Sequence, residues 1–366
     1  MTATAVNPSG QTPAEEQRAA AAPSSFPVEP DPGTRRLNTA KAIQEAIGSQ
    51  MEQNPEVFVM GEDVGAYGGI FSSTTGLLDR FGAQRVIDTP ISETAFIGMG
   101  IGAAVEGMRP VVELMFVDFF GVCMDQIYNH MAKIHYESGG NVRVPMVLMT
   151  ATGGGYSDGA QHSQSLWGTF AHLPGMKVVV PSNPYDAKGL MTAAIASDDP
   201  VVYMFHKGVM GLPWMAKNKR SIGAVPEEDY LVPIGKARVA RAGTDVTIVT
   251  LSLSVHHSLD VAEQLAGEGI SVEVLDLRSV VPLDREAIVA SAAKTGRVIV
   301  VDEDYQSFGL SGEIAATLLE SPDARGAAFS RVCVPDVPIP YARELEYAVL
   351  PTHARIEAAV RAAVGA

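Results

Sequence analysis

The chain has 366 residues, 46% hydrophobic and 19% charged, which is enough apolar material for a large core shared among more than one domain. Its 27 Lys and Arg against 42 Asp and Glu give a formal charge of −15, so no basic face for nucleic acid can be assembled and an acidic enzyme is the plainer reading. Cys123 and Cys333 lie far apart in apolar runs and read as reduced core thiols of a cytoplasmic protein. No apolar run reaches membrane-spanning length; even Val111 to Gly121 carries Glu113 and Asp118.

Residues 1–36 are rich in Ala, Pro, Ser, Thr and Gln, and such a segment buries too little surface to offset its ordering entropy. It lacks the apolar core of a signal peptide, and Glu15, Glu16, Glu29 and Asp31 oppose a transit-peptide reading. The expectation is a disordered tail that could tether partners. From residue 37 helix and strand patterns alternate. Asn38 to Gln53 has a capping Asn/Thr and apolar spacing at Ala42, Ile43, Ala46 and Ile47, which predicts an amphipathic helix. Val57 to Met60 follows as a short buried strand. Further strands are expected at Val111–Met115, Pro145–Thr150, Lys177–Val180 and Val201–Phe205, with helices around 93–107, 122–137 and 184–196. The alternation predicts an α/β domain over 37–222, a parallel sheet flanked by helices. Over 223–240 the pattern loosens through Pro226, Glu227, Glu228 and Pro233, as linkers do. A smaller α/β domain is expected over 241–366. Its strands lie at Asp245–Leu251, Ser271–Leu275 and Arg297–Val301, and its helices around 255–266 and 284–293. No internal repeat is visible.

Two residues stand out for their chemistry. Glu93 closes the run Asp88-Thr89-Pro90-Ile91-Ser92-Glu93, ahead of a Gly/Ala-rich segment from Gly98 to Gly107. Pro90 can open a helix and Ser92 can cap it, putting the glutamate in a first turn with apolar surroundings. A desolvated carboxyl can hold or share a proton near neutrality, which suits acid/base chemistry; the plainer alternative is a glutamate that caps backbone N–H groups. His162 lies in a loop, Gly153 to Gln164, with four glycines and an aspartate before it. Loops on rigid scaffolds carry catalytic groups, and histidine exchanges protons near neutral pH; otherwise it is a surface-loop histidine.

Other patterns are weaker. Gly155-Tyr156-Ser157-Asp158-Gly159 fits the nucleophile elbow of α/β hydrolases, with Asp302 and His353 as conceivable partners of Ser157, but no good helical pattern follows directly. Gly98-Met99-Gly100-Ile101-Gly102-Ala103, with Asp118 downstream, satisfies a dinucleotide fingerprint except that a helix, not a strand, precedes it. The glycines at 98, 100, 102 and 107 read as allowing close helix packing between subunits. His130 and His135 diverge on a helix, and His256 and His257 are adjacent, so no transition-metal site is expected. Arg278 could pair with a carboxylate at a subunit contact, and Asp302, Glu303 and Asp304 read as strand-end charges facing a partner or solvent.

The segments VFVMGEDVG, RVIDTPISE, ELMFVDFFGVCMDQI, GAQHSQS, LPGMKVVVPSNPYDAKGL and DLRSVVPLD, in this order, resemble the β subunit of thiamine-diphosphate-dependent E1 enzymes. That family comprises pyruvate, branched-chain 2-oxo acid and acetoin dehydrogenase components. The resemblance implies a transketolase-like pyrimidine-binding domain followed by a transketolase C-terminal domain. It implies that Glu93 hydrogen-bonds the aminopyrimidine of thiamine diphosphate and promotes deprotonation of its thiazolium. It implies that Phe119 packs against that ring, and that His162 faces the reactive end of the cofactor and the lipoyl channel. The Gly-Asp-Gly and paired-Asn motif that holds the diphosphate through Mg²⁺ is absent here. The resemblance therefore implies an E1 α subunit that carries it, in an α2β2 assembly, and a lipoyl-bearing E2 acyltransferase to receive the acyl group. A structural potassium ion on backbone carbonyls occurs in relatives; the matching stretch includes Ala194, Ile195 and Asp199, the last standing where Asn is more usual. The implied substrate is a 2-oxo acid of the pyruvate type or acetoin, and the framework segments look closest to the acetoin subgroup.

Overall fold

A computed structural model describes residues 29–215 and 218–365. Strand β1 (Arg36–Asn38) leads into helix α1 (Thr39–Gln53), whose start is set locally: the Asn38 side chain accepts the Lys41 N–H at 2.8 Å. Ile43, Ala46 and Ile47 of α1 join a core with Val57 and Val59 of β2 (Val57–Gly61). Then come α2 (Leu77–Phe81), β3 (Val86–Asp88), α3 (Glu93–Val105) and β4 (Arg109–Phe116). The helix expected at 122–137 is broken into a tight turn at Val117–Gly121, a widened turn at Gln126–Met131 and α4 (Ile134–Glu137). The widening shows where the Ala132 N–H donates to Ile127, five residues back. β5 (Val147–Thr152), α5 (Trp167–Ala171), β6 (Lys177–Val179), α6 (Pro184–Ala196) and β7 (Val201–His206) follow.

These strands order as β6-β7-β5-β4-β2-β3, all parallel. Helices cover both faces, which is why β2 and β7 are buried along their whole length and read as continuous apolar runs. Beyond them lie β8 (Ile222–Ala224), β9 (Arg238–Arg241), β10 (Val246–Thr250), α7 (Leu253–Ala266), β11 (Val272–Asp276) and β12 (Ser279–Val281). The chain ends with α8 (Arg285–Thr295), β13 (Arg297–Tyr305), α9 (Leu310–Glu320), β14 (Ala328–Val334), α10 (Arg343–Val349) and α11 (His353–Val364). A second sheet has the order β14-β13-β10-β11-β9, parallel except for β9. Strand β12 leaves that unit and adds antiparallel to β6, giving the first sheet a seventh strand.

Three further expectations change. The tail was expected to be disordered through residue 36; residues 1–28 lie outside the described ones, but 29–36 are fastened to the body. Glu29 pairs with Arg278 at 2.7 Å, Tyr185 donates to the Pro30 carbonyl at 2.8 Å, Arg35 grips Glu45 with two 2.7 Å bonds, and β1 pairs with β8. The stretch expected to loosen after 222 is packed instead. Tyr230 and Val232 are fully buried, and the buried Lys188 ammonium donates to the Pro226 and Glu227 carbonyls. Arg278 serves contacts within the chain, bridging Glu29 and Asp186. Among the described residues no helix is long and apolar enough to cross a membrane.

Candidate active site

Because β2, β3, β4, β5 and β7 run parallel, the residues that follow them gather at one edge of the sheet. The chain leaves β2 outward to β3 and returns to β4 on the other side of β2, so a crevice opens between the ends of β2 and β4. Glu62 follows β2, Glu93 follows β3, Phe116 ends β4 with Phe119 in the turn after it, the His162 loop follows β5, and His206 ends β7 with Lys207 next.

Glu93 is the first residue of α3, as expected, but its neighbours act differently. Pro90 lies before the helix, and the Ser92 hydroxyl turns back to the Pro90 carbonyl at 3.1 Å rather than capping. Thr94 donates to the Val122 carbonyl at 2.7 Å and ties the helix start to the turn after β4. Glu93 itself is half-buried, and the flanking Ile91 and Met99 are 82% and 63% exposed, so this chain alone does not complete the apolar surround expected for it. Glu62, a residue the sequence reading passed over, is the better-buried carboxyl here. Burial, then the charges of Glu93 and Asp63, hold it above its ordinary value, and its Oε1 has no partner. The signal was a glutamate directly after the all-buried run Val57–Gly61.

Phe119 and His162 are brought together. The His162 imidazole stands edge-on to Phe116 and Phe119, with ring centroids 4.8 and 5.4 Å away. Buried Lys207 holds the loop from below, donating to Asp158 Oδ2 at 2.5 Å and to the His162 carbonyl at 2.6 Å. Gln164 closes the loop: its Nε2 donates to Asp118 at 2.8 Å, and its Oε1 accepts from Tyr305 at 3.2 Å. Phe116 is therefore part of this cluster.

The strand-end acids of β13 are buried and bonded within the chain. Glu303 accepts the Gly154 N–H at 2.7 Å and both its oxygens lie 3.0 Å from His206 Nε2, while Gly208 donates to Nδ1, which fixes the proton on Nε2. Burial would raise the Glu303 carboxyl, but these donors outweigh it and hold the group below the usual carboxylate range. Asp302 accepts from the Trp167 indole at 2.9 Å and Asp304 from the Gly168 N–H at 2.9 Å. Burial, then the charge of Asp304, pushes Asp302 up to about 8, and burial pushes Asp304 to about 6.

The rival readings fail on geometry. Ser157 has φ +57°, as an elbow would, but loop follows it; Asp302 is engaged by Trp167, and His353 by Asp260. The glycines at 98, 100 and 102 fall inside α3, and a Cβ at Gly100 would meet Val112 of the same chain at 2.7 Å, so that glycine serves packing on β4. Among the described residues no group of three or more His, Cys, Asp or Glu could hold a metal ion. In the stretch expected to bind potassium, the Ile195 carbonyl accepts from Arg109 at 3.0 Å, and Asp199 is paired with Lys177 at 2.9 Å and Arg143 at 3.5 Å.

The model for the transketolase pyrimidine binding domain matches residues 35–211, and that for the transketolase C-terminal domain matches residues 235–356. A solved split-gene transketolase, an inactive β4 tetramer, superposes with a TM-score of 0.71 at 25% identity, covering 90% of this chain and 98% of that one. Fold and site thus define a transketolase-like two-domain protein. Several curated relatives are more similar in sequence. The 2-oxoisovalerate dehydrogenase subunit beta of Bacillus subtilis is 44% identical, over 87% of this chain and 96% of its own. The acetoin:2,6-dichlorophenolindophenol oxidoreductase subunit beta of Cupriavidus necator is 43% identical, over 89% and 97%. The mitochondrial pyruvate dehydrogenase E1 component subunit beta-1 of Arabidopsis thaliana is 43% identical, over 90% and 89%. This chain belongs to the family of β subunits of thiamine-diphosphate-dependent 2-oxo acid and acetoin dehydrogenase E1 components.

The residues at the strand edge fit the aminopyrimidine of that cofactor. Two buried acceptors there lack partners: Glu62 Oε1, on a side chain that feels the charge of half-buried Glu93, and Asp118 Oδ2, whose carboxylate holds Gln164 of the loop whose His162 meets Phe116 and Phe119; such surroundings suit a polar heteroaromatic ring.

Proposed function

We propose that this chain forms the pyrimidine half of a thiamine diphosphate site completed by an E1 α subunit, in a cytoplasmic α2β2 heterotetramer. It acts on a 2-oxo acid of the pyruvate type and hands the acyl group to a lipoyl-bearing E2. The observation that carries the reading is the convergence of Glu93, Phe119 and His162 on one strand edge. On the elements beyond that edge Met99, Val122 and Tyr136 are 63%, 63% and 87% exposed, apolar surface that suits burial by another chain. The free, buried Cys123 and Cys333 agree with a reducing compartment.

When bound, the cofactor supplies the carbon nucleophile. Glu93 holds the proton exchanged with the aminopyrimidine nitrogen, and a docked α chain completes its desolvation. Phe119 walls the ring, and His162, kept upright by Phe116 and Lys207, exchanges a proton at the acyl-transfer end. Mg²⁺ and the diphosphate belong to the α chain. A potassium ion at Ala194, Ile195 and Asp199 would share a carbonyl with Arg109 and sit among three cationic side chains, so it forms no part of the proposal. Acetoin is the second reading, favoured by the 43% identical acetoin relative, yet the 44% identical 2-oxoisovalerate relative carries equal weight.

The test is reconstitution with the α partner and assay with pyruvate, branched-chain 2-oxo acids and acetoin. Decarboxylation of a 2-oxo acid with reductive acylation of lipoamide is expected. Turnover of acetoin alone would give the site to the second reading, and turnover of none would refute both.

A further inference from the structure

The loop that carries His162 is held from across the domain boundary. Glu346 stands on α10 in the C-terminal unit and is fully buried, although its neighbours Leu345 and Tyr347 are exposed. Its two oxygens take different backbone groups of the loop: Oε1 accepts the Gly155 N–H at 2.7 Å and Oε2 the Ser157 N–H at 3.0 Å. Gly153, Gly155, Ser157 and Gly159 have φ of +92°, +97°, +57° and +78°, and the residues between them do not. Such alternation turns successive N–H groups to one side and builds an anion-binding nest. Here the anion is supplied by the protein itself. Ser157 keeps a conformation that side chains avoid, which persists only where the surroundings impose it.

We propose that Glu346 is a positioning residue: by filling this nest, the C-terminal unit sets where the His162 imidazole stands. The proposal rests on the role given to His162 above. From the nest the chain passes to Asp158, which Lys207 holds, and then to His162, whose carbonyl the same ammonium grips. An amide at 346 offers one acceptor where two N–H groups need two, and its own N–H₂ opposes the second. The loop then relaxes and the imidazole leaves the Phe116–Phe119 edges. Glu93 lies on α3 and is untouched by the nest, so proton exchange on the cofactor and acyl transfer should separate.

The experiment uses the complex reconstituted with the α subunit. Glu346→Gln should lower acyl transfer to lipoamide by about 10²-fold, the scale of a misplacement near 1 Å, with thiazolium proton exchange and KM for the 2-oxo acid unchanged. Gly155→Ala, where a Cβ meets nothing but φ is +97°, strains the nest without touching Glu346 and should lower transfer in the same way. Glu344→Gln, exposed on the same helix, should be silent. Normal transfer in a folded Glu346→Gln complex, or loss of exchange in step with transfer, overturns the proposal. If Glu346→Gln fails to assemble, Gly155→Ala decides, and normal transfer there overturns it. His162→Gln separates the two levels: if it is silent the underlying reading of His162 falls, whereas a defect there beside a normal Glu346→Gln removes only the role of Glu346.

Discussion

The two sides of the crevice are built to different degrees of completion. On the His162 side this chain itself holds the loop, with Lys207 beneath it, Glu303 at its start, Glu346 in its middle, and Gln164, Asp118 and Tyr305 at its end. On the Glu93 side it supplies a helix start and little cover, with Ile91 and Met99 open and Glu62 Oε1 unpartnered. The contrast teaches where the partner belongs. A buried acceptor left without a donor is costly, and apolar side chains left wet beside it are unusual, so the second chain is expected to cover the Glu93 side.

The largest break in this comparison should come from the incomplete side. Glu93→Gln in the reconstituted complex is expected to lower thiazolium proton exchange by about 10²–10⁴-fold with assembly intact, read by hydrogen–deuterium exchange; unchanged exchange would remove Glu93 from the chemistry. On the other side, Lys207→Met strands Asp158 and the His162 carbonyl. It should cost about 1–3 kcal/mol of stability in denaturant melts and lower acyl transfer while sparing exchange.

The interface acids sharpen the comparison through pH. Asp302, at about 8, and Asp304, at about 6, are carboxyls raised above their unfolded values, so between about pH 4 and 8 the folded chain binds more protons than the unfolded one. Stability on their account is greatest below pH 4, falls as pH rises through the folded values, and is flat above them. Asp302→Asn should flatten the fall in thermal midpoint between pH 5 and 8. An effect confined to higher pH is expected at Glu113, buried on β4 with Ser73 as its donor and pushed by burial up to about 7. Its cost accrues between pH 4.5 and 7, so Glu113→Gln should stabilise the chain by about 1–3 kcal/mol at pH 8 and hardly at all at pH 4.

What was legible in the sequence was local. Asn38 caps α1 from three residues away, and β2, β4, β5 and β7 are apolar runs because helices cover both faces of their sheet. The E1 resemblance directed attention to Glu93, Phe119 and His162, and the two rings do meet; their roles await the experiments above. What was not legible depended on partners far along the chain. β12 joins β6 from about 100 residues away, Arg278 finds Glu29 across 249 positions, and Glu346 reaches the nest from 189 and 191 positions off. The acids at 302–304 read as facing a partner or solvent because charged groups are rarely buried, and only the tertiary structure brings the Trp167, Gly154, His206 and Gly168 donors to them.

The shared site is tested most directly by calorimetric titration of thiamine diphosphate with Mg²⁺ into the isolated chain and into the complex with its α subunit. Tight binding is expected only in the complex, with little or no heat from the chain alone. Equal affinity in the isolated chain would contradict a crevice that this protein leaves half built.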